Sequence, residues 1–155
     1  MRTEQGFTLI ELLITLVILS ILVALAIPNF RELMDRNATT AVANDMLSSI
    51  LLARSESIKR EQPVIFSGNG DLTAWQVAAD TNGDNTGDDV LLQHTLGGNG
   101  IDVSAVGGNT ITFNTRGRTT SDATNNSFTI TKNSATRHVC FSAIGRPRVQ
   151  KGACQ

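Results

Sequence analysis

Between Phe7 and Ile27 the chain reads FTLIELLITLVILSILVALAI, 21 residues carrying one charge, Glu11. As a helix this stretch is about 30 Å long, the thickness of a bilayer's hydrocarbon core. Such a segment has three ordinary fates: a retained membrane helix, a cleaved secretory signal, or a helix buried in a core. Ala24-Leu25-Ala26 resembles the small-residue cleavage site of a secretory signal. Against that reading, Arg2 is balanced by Glu4 ahead of the run, Glu11 interrupts it near its start, and Pro28 lies just past the supposed cut. A retained membrane helix is the reading these residues favour.

A carboxylate within a membrane helix costs about 2.5–3.5 kcal/mol even on lenient scales, so Glu11 marks a functional position. It requires a cation nearby in an assembled state. If the chain were cut between Gly6 and Phe7, the new α-amino group of Phe7 would lie about one helical turn from Glu11 of a neighbouring copy. Gly6-Phe7-Thr8-Leu9-Ile10-Glu11 at the head of an apolar helix resembles the class III signal of type IV pilins and pseudopilins, a match covering residues 1–30. The resemblance implies cleavage after Gly6 by prepilin peptidase, N-methylation of Phe7, and a part for Glu11 in recruiting each subunit into a filament of pilin subunits. It also implies a single pass through the inner membrane with the head in the periplasm. Orientation rests on the resemblance, because the leader has one base, Arg2.

Pro28 removes a helix hydrogen bond and is expected to kink or loosen the helix. Beyond it Phe30, Leu33, Met34, Ala38, Ala41, Val42, Met46, Leu47, Ile50, Leu51 and Ile58 recur at a helical period. That stripe predicts a packing face on a helix ending near Arg60, before Gln62-Pro63. Six short strand candidates follow, at 63–67, 72–78, 90–94, 110–115, 127–132 and 137–143, separated by Gly, Asn and Asp clusters. The expected architecture is α+β, a long N-terminal helix packed on a small antiparallel β-rich head. The corresponding divisions are a leader at 1–6, a membrane or filament-core helix at 7–29, an amphipathic half at 30–62 and a head at 63–155.

Cys140 and Cys154 have thirteen residues between them, without metal-ligand spacing. They read as a disulfide if the head sits in an oxidising compartment, and otherwise as two buried thiols. The formal net charge of −1 hides a basic C-terminal quarter: residues 116–155 hold Arg116, Arg118, Lys132, Arg137, Arg146, Arg148 and Lys151 against one acid, Asp122. Phe113-x-x-x-Gly117-Arg118 and Phe141-x-x-x-Gly145-Arg146 echo one another, by chance or as two hairpins built alike.

Gly145-Arg146-Pro147-Arg148 after a Cys-bearing strand is similar to the FimT/GspH group of minor pilins and pseudopilins. That resemblance implies one of two function classes. FimT-like members bind double-stranded DNA during natural transformation through a C-terminal Gly-Arg-x-Arg. Others prime assembly of a pilus or of a type II secretion pseudopilus. From the residues alone, Pro147 holds Arg146 extended, so Arg146 and Arg148 face one side, with Lys151 close behind. Arginine forks suit phosphate oxygens. The bland alternative is a solvated basic loop, with Arg116, Arg118 and Arg137 widening the patch if the strands adjoin. The chain has no Tyr, and Phe113, Phe128 and Phe141 are the aromatics of its C-terminal half, so backbone-phosphate contact with duplex is expected rather than base stacking.

Asp80 to Asp89 looks at first like a calcium loop. It departs from the EF-hand pattern because Asn85 stands where Gly is required and no Glu closes the loop, so an acidic hairpin turn without metal is expected. Trp75 reads as a core anchor. His94 and His138 accompany no nucleophile, P-loop, metal-ligand or paired-carboxylate pattern, so neither enzyme nor cofactor is expected.

Overall fold

The computed structural model describes residues 7–98, 100–120, 126–142 and 145–154. Gly6 and the rest of the leader lie outside the described residues. The chain divides into two compact units, Met1–Met34 and Asp35–Gln155.

Helix α1 spans Leu9–Arg60. Thr8 caps it, accepting the Glu11 N–H on Oγ1 at 3.3 Å and the Leu12 N–H on its carbonyl at 3.2 Å. Thr8-x-x-Glu11 has capping-box spacing, and an acid in the first turn meets the positive end of the helix dipole. Glu11 therefore has a local role at the start of the helix. Thr15 and Ser20 fold their hydroxyls onto the carbonyls of Leu12 and Val17, at 2.8 and 2.7 Å. Those bonds satisfy the hydroxyls without water. The helix continues through Pro28, and Asn29 Nδ2 donates to the Leu25 carbonyl at 3.3 Å. Its first half includes an 18-residue window of mean hydropathy 2.9, fully exposed, long and apolar enough to cross a membrane.

In the second unit the chain forms eight strands: β1 Val64–Gly68, β2 Ala74–Ala79, β3 Asp89–Thr95, β4 Asp102–Val106, β5 Thr110–Phe113, β6 Ser127–Lys132, β7 Ala135–Phe141 and β8 Pro147–Gln150. They make two four-stranded sheets, β3-β2-β1-β5 and β4-β6-β7-β8, with antiparallel neighbours throughout. The antiparallel α+β expectation holds, but β4 and β8 are additions to the expected strands. Leu72, expected in a strand, instead takes φ 50° in the turn before β2.

One core joins both sheets and the helix. Phe66 of the first sheet meets Phe128 of the second edge-on at 5.7 Å, and Phe128 meets Phe141 at 6.3 Å. Burying each such ring stabilises the fold by roughly 1.5–3 kcal/mol. The helix face in this core keeps Val42, Met46 and Ile50 of the predicted stripe and departs from the rest. Its buried residues are Thr39, Val42, Ala43, Met46, Ser49, Ile50, Ala53 and Ser57, whereas Leu51 and Ile58 are exposed. Small side chains let the sheets approach the helix closely, and each buried hydroxyl bonds a carbonyl three or four residues back. Met46 and Ile50 fill the centre of that face, while Leu51 and Ile58 lie outside it. At the helix end, Arg60 bridges Glu56 at 2.7 Å and Asp89 at 2.8 Å, tying α1 to β3. Hydrogen bonds from Arg60 and Lys59 hold the Glu56 carboxyl below the usual range.

Candidate functional site

The basic segment is a sheet edge rather than a loop. β8 lies at the end of its sheet and pairs with β7 in the register His138↔Gln150, Val139↔Val149, Cys140↔Arg148, Phe141↔Pro147. An edge strand accommodates Pro147, whose missing N–H costs nothing on the unpaired side. Val149 lies opposite buried Val139, so strand alternation gives Arg148 the other face, while Arg146 is exposed in the turn just before the strand. Cys140 and Cys154 form a disulfide with Cα atoms 5.5 Å apart, which returns the chain after β8 onto β7. Gln150 Nε2 reinforces that return, donating to the Ala153 carbonyl at 2.8 Å.

The turn into β8 is built by Gly145. Its N–H donates to the Ser142 carbonyl at 2.8 Å, and Ser142 N–H donates to the Arg146 carbonyl at 3.0 Å. Gly145 has φ 73°, a left-handed conformation that side chains disfavour, and it is buried against Thr119. A β-carbon there would sit 2.9 Å from both Thr119 Cγ2 and Oγ1. Thr119 thus belongs to the site's foundation. Nothing in its sequence context marks it, because the contact is made across the fold.

Several of the head's cations are committed to ion pairs. Lys59 and Arg60 pair with Glu56, Arg60 also with Asp89, and Lys132 with Asp35. Arg137, expected to widen the patch, is half-buried, and its NH1 donates to the Thr136 carbonyl at 2.9 Å. Arg116, Arg118, Arg146, Arg148 and Lys151 are all exposed, and among the described residues no ion pair or side-chain hydrogen bond engages their cationic groups. Phe113, Phe128 and Phe141 are buried.

Asp80, Asp84 and Asp88 gather with carboxylate oxygens within 4.8 Å of one another. Their oxygens already serve the loop. Buried Asp80 accepts the N–H groups of Gly83 and Asn85 at 2.7 and 3.0 Å, and Asp88 accepts Thr81 N–H and Oγ1–H at 2.9 and 2.8 Å. Bonds from the hydroxyl and N–H of Thr86, and then from Asn82, hold the Asp84 carboxyl below the usual range. Trp75 is a core anchor as expected, its Nε1 donating to buried Ser49 Oγ at 2.9 Å while its ring stacks on His94 at 4.3 Å. His138 is partnered separately, its Nδ1 lying 3.1 Å from Thr129 Oγ1. The two histidines therefore serve different contacts.

A family model described as type II transport protein GspH matches residues 42–145. The chain belongs to the GspH family. A second model, the prokaryotic N-terminal methylation motif, matches residues 1–27. This GspH-family protein is a type IV pilin-like minor pilin or pseudopilin, and its family and fold are those of structural pilins rather than enzymes. Among curated proteins it is 31% identical to the type IV major alpha-pilin of Moraxella bovis, over 42% of this chain and 41% of that one. It is 26% identical to fimbrial protein Q of the same organism over 63% of this chain and 62% of that protein. A fimbrial protein of Pseudomonas aeruginosa is 30% identical over 50% of this chain and 49% of its own length. The chain thus spans about half the length of the curated relatives it matches. In fold it resembles the type IV minor pilin FimU of Pseudomonas aeruginosa, with a TM-score of 0.62 and 18% identity, covering 79% of this chain and 93% of that one.

Proposed function

We propose that this GspH-family protein is a minor subunit of a type IV pilus that captures double-stranded DNA, without reading its sequence, for uptake in natural transformation. The observation that carries this reading is the exposed, uncommitted arginine pair Arg146 and Arg148 on a disulfide-tethered sheet edge, with Lys151 beside it. Gly145 shapes the turn that presents them. Phosphate oxygens are the natural acceptors for such guanidinium forks. Prepilin peptidase cuts after Gly6 and Phe7 is methylated. The apolar half of α1 holds the subunit in the inner membrane with its head in the periplasm, until Glu11 pairs with the α-amino group of a neighbouring pilin subunit. No metal or cofactor takes part.

A second reading is structural: the chain primes assembly of a type II secretion pseudopilus or a pilus, and its basic edge contacts neighbouring subunits. The GspH match favours it, since that family is described as a type II transport protein. Titration of the full chain in non-ionic detergent with duplex DNA across a salt series separates the two. DNA capture predicts saturable binding that weakens steeply with salt and is lost in an Arg146→Ala/Arg148→Ala variant. Equal affinity in wild type and variant would remove it. In a deletion strain, lost DNA uptake with filaments intact supports capture, and lost filaments or secretion supports priming.

A further inference from the structure

The Gly-Arg echo in the sequence is a repeated structure. In the first copy Asn114 N–H donates to the Arg118 carbonyl at 2.9 Å, and Gly117 N–H to the Asn114 carbonyl at 2.8 Å. In the second copy Ser142 and Gly145 make the equivalent bonds to Arg146 and Ser142, at 3.0 and 2.8 Å. The first residue of each turn also caps its arginine: Arg118 N–H donates to Asn114 Oδ1 at 3.0 Å, and Arg146 N–H to Ser142 Oγ at 3.1 Å. Both glycines are left-handed, φ 67° at Gly117 and 73° at Gly145. Each turn is preceded by a buried phenylalanine that pairs with the residue six positions on, Phe113 with Thr119 and Phe141 with Pro147.

The two turns are also neighbours. Gly145 is buried against the side chain of Thr119, the residue directly after Arg118. Gly117 is buried in its turn against Ile58 and Arg54 of α1, where an added β-carbon would lie 2.6 Å from Ile58 Cδ1 and 3.3 Å from Arg54 Cγ. The helix thus seats the first turn, and the first turn seats the second. Arg118 and Arg146 leave the backbone one residue to either side of the Thr119–Gly145 contact, and both are exposed. Arg116, also exposed, sits within the first turn, its N–H on Asn114 Oδ1 at 3.0 Å.

We infer that the Asn114–Arg118 turn is a second phosphate-binding element, and that Arg118, with Arg116 beside it, joins Arg146 and Arg148 in one strip along the duplex backbone. This rests on the DNA reading above and adds to it residues outside the Gly-Arg-Pro-Arg segment. Duplex DNA presents phosphates continuously along its length, so two turns that each project an arginine from a fixed backbone can engage successive phosphates. The bonds to Asn114 and Ser142 fix the backbone at each arginine before DNA arrives, which limits the ordering cost of binding.

The test is a fluorescence anisotropy titration of the full chain in non-ionic detergent with a labelled duplex, repeated over a salt series. Each lost phosphate contact lowers the log–log salt slope by roughly 0.9, and that slope corresponds to roughly an eightfold loss of affinity per contact at about 0.1 M salt relative to 1 M. Arg118→Gln is expected to show both changes. Arg118→Lys is expected to restore the slope, which separates lost charge from a damaged turn. Lys132→Gln, whose ammonium already pairs with Asp35, is expected to bind as wild type does. An unchanged slope and affinity in Arg118→Gln, with binding lost in Arg146→Ala/Arg148→Ala, would overturn the second turn and leave the DNA reading standing. No binding by the wild-type chain would remove both.

Discussion

Gly145 is where the geometry of the basic edge is most exposed to a single atom. In Gly145→Ala the new methyl meets two costs. At φ 73° an L side chain is disfavoured by about 1–2 kcal/mol. The methyl also arrives 2.9 Å from Thr119 Cγ2 and Oγ1, and crowding of that kind in a packed site costs about 1–3 kcal/mol. The expected loss is roughly 2–5 kcal/mol, and for a head of this size about 4 °C of melting temperature accompanies each kcal/mol. Tryptophan fluorescence is the suitable assay, because Trp75 is the sole tryptophan, is buried in the head, and is blind to the membrane half of α1. Thr119→Ala separates the costs. It removes the two crowded atoms and leaves Thr119 Cβ at an ordinary 3.5 Å, so Gly145→Ala in that background should cost only about 1–2 kcal/mol. A Gly145→Ala chain melting within about 2 °C of wild type, or an equal loss in both backgrounds, would refute this account of the turn.

Reducing the disulfide, or replacing both cysteines by serine, should destabilise the head by about 3 kcal/mol, the chain-entropy value for a loop of this length, seen as a lower melting temperature in reductant. Ser49→Val should leave buried Trp75 Nε1 without an acceptor and cost roughly 1–3 kcal/mol, with a shift in tryptophan emission. The Asp84 carboxyl is held below its ordinary value of 3.8, so its contribution is fully present above that value and is lost as pH falls through the lower folded one. Wild type and Asp84→Asn should therefore differ in melting temperature at neutral pH and converge in strong acid; a difference that persists there would contradict the assignment.

What was legible in the sequence follows from which forces act locally. The apolar run, the end of α1 at Arg60 and the alternating strands were readable because period and composition alone set them. The buried helix face was legible at Val42, Met46 and Ile50 but not at its edges, where two close sheets select Ser49, Ala53 and Ser57 over Leu51 and Ile58 on grounds of room rather than hydrophobicity. β4, Asp-Val-Ser-Ala-Val, escaped notice as a short edge strand with alternate residues exposed, whose pairing with β6 comes from the partner. β8 contains a proline and pairs on one side only, so its residues read as extended without reading as sheet. At the basic edge the arginine spacing was visible, and so was the Gly-Arg echo. That the echo marks two matched turns pressed together depends on Thr119, which meets Gly145 only once both sheets are assembled. Likewise the half-burial of Arg137 and its bond to the Thr136 carbonyl are not revealed by its position in the sequence.

The membrane-anchored subunit is tested most directly at its first residue. Intact-mass and fragmentation spectrometry of the protein isolated from membranes should find a chain beginning at Phe7, carrying one added methyl group on its amine and an oxidised Cys140–Cys154 pair. A chain beginning at Ile27, cut after Ala26, would mean that the apolar segment is discarded on export, and would contradict both the anchor and the place of Glu11 in a filament.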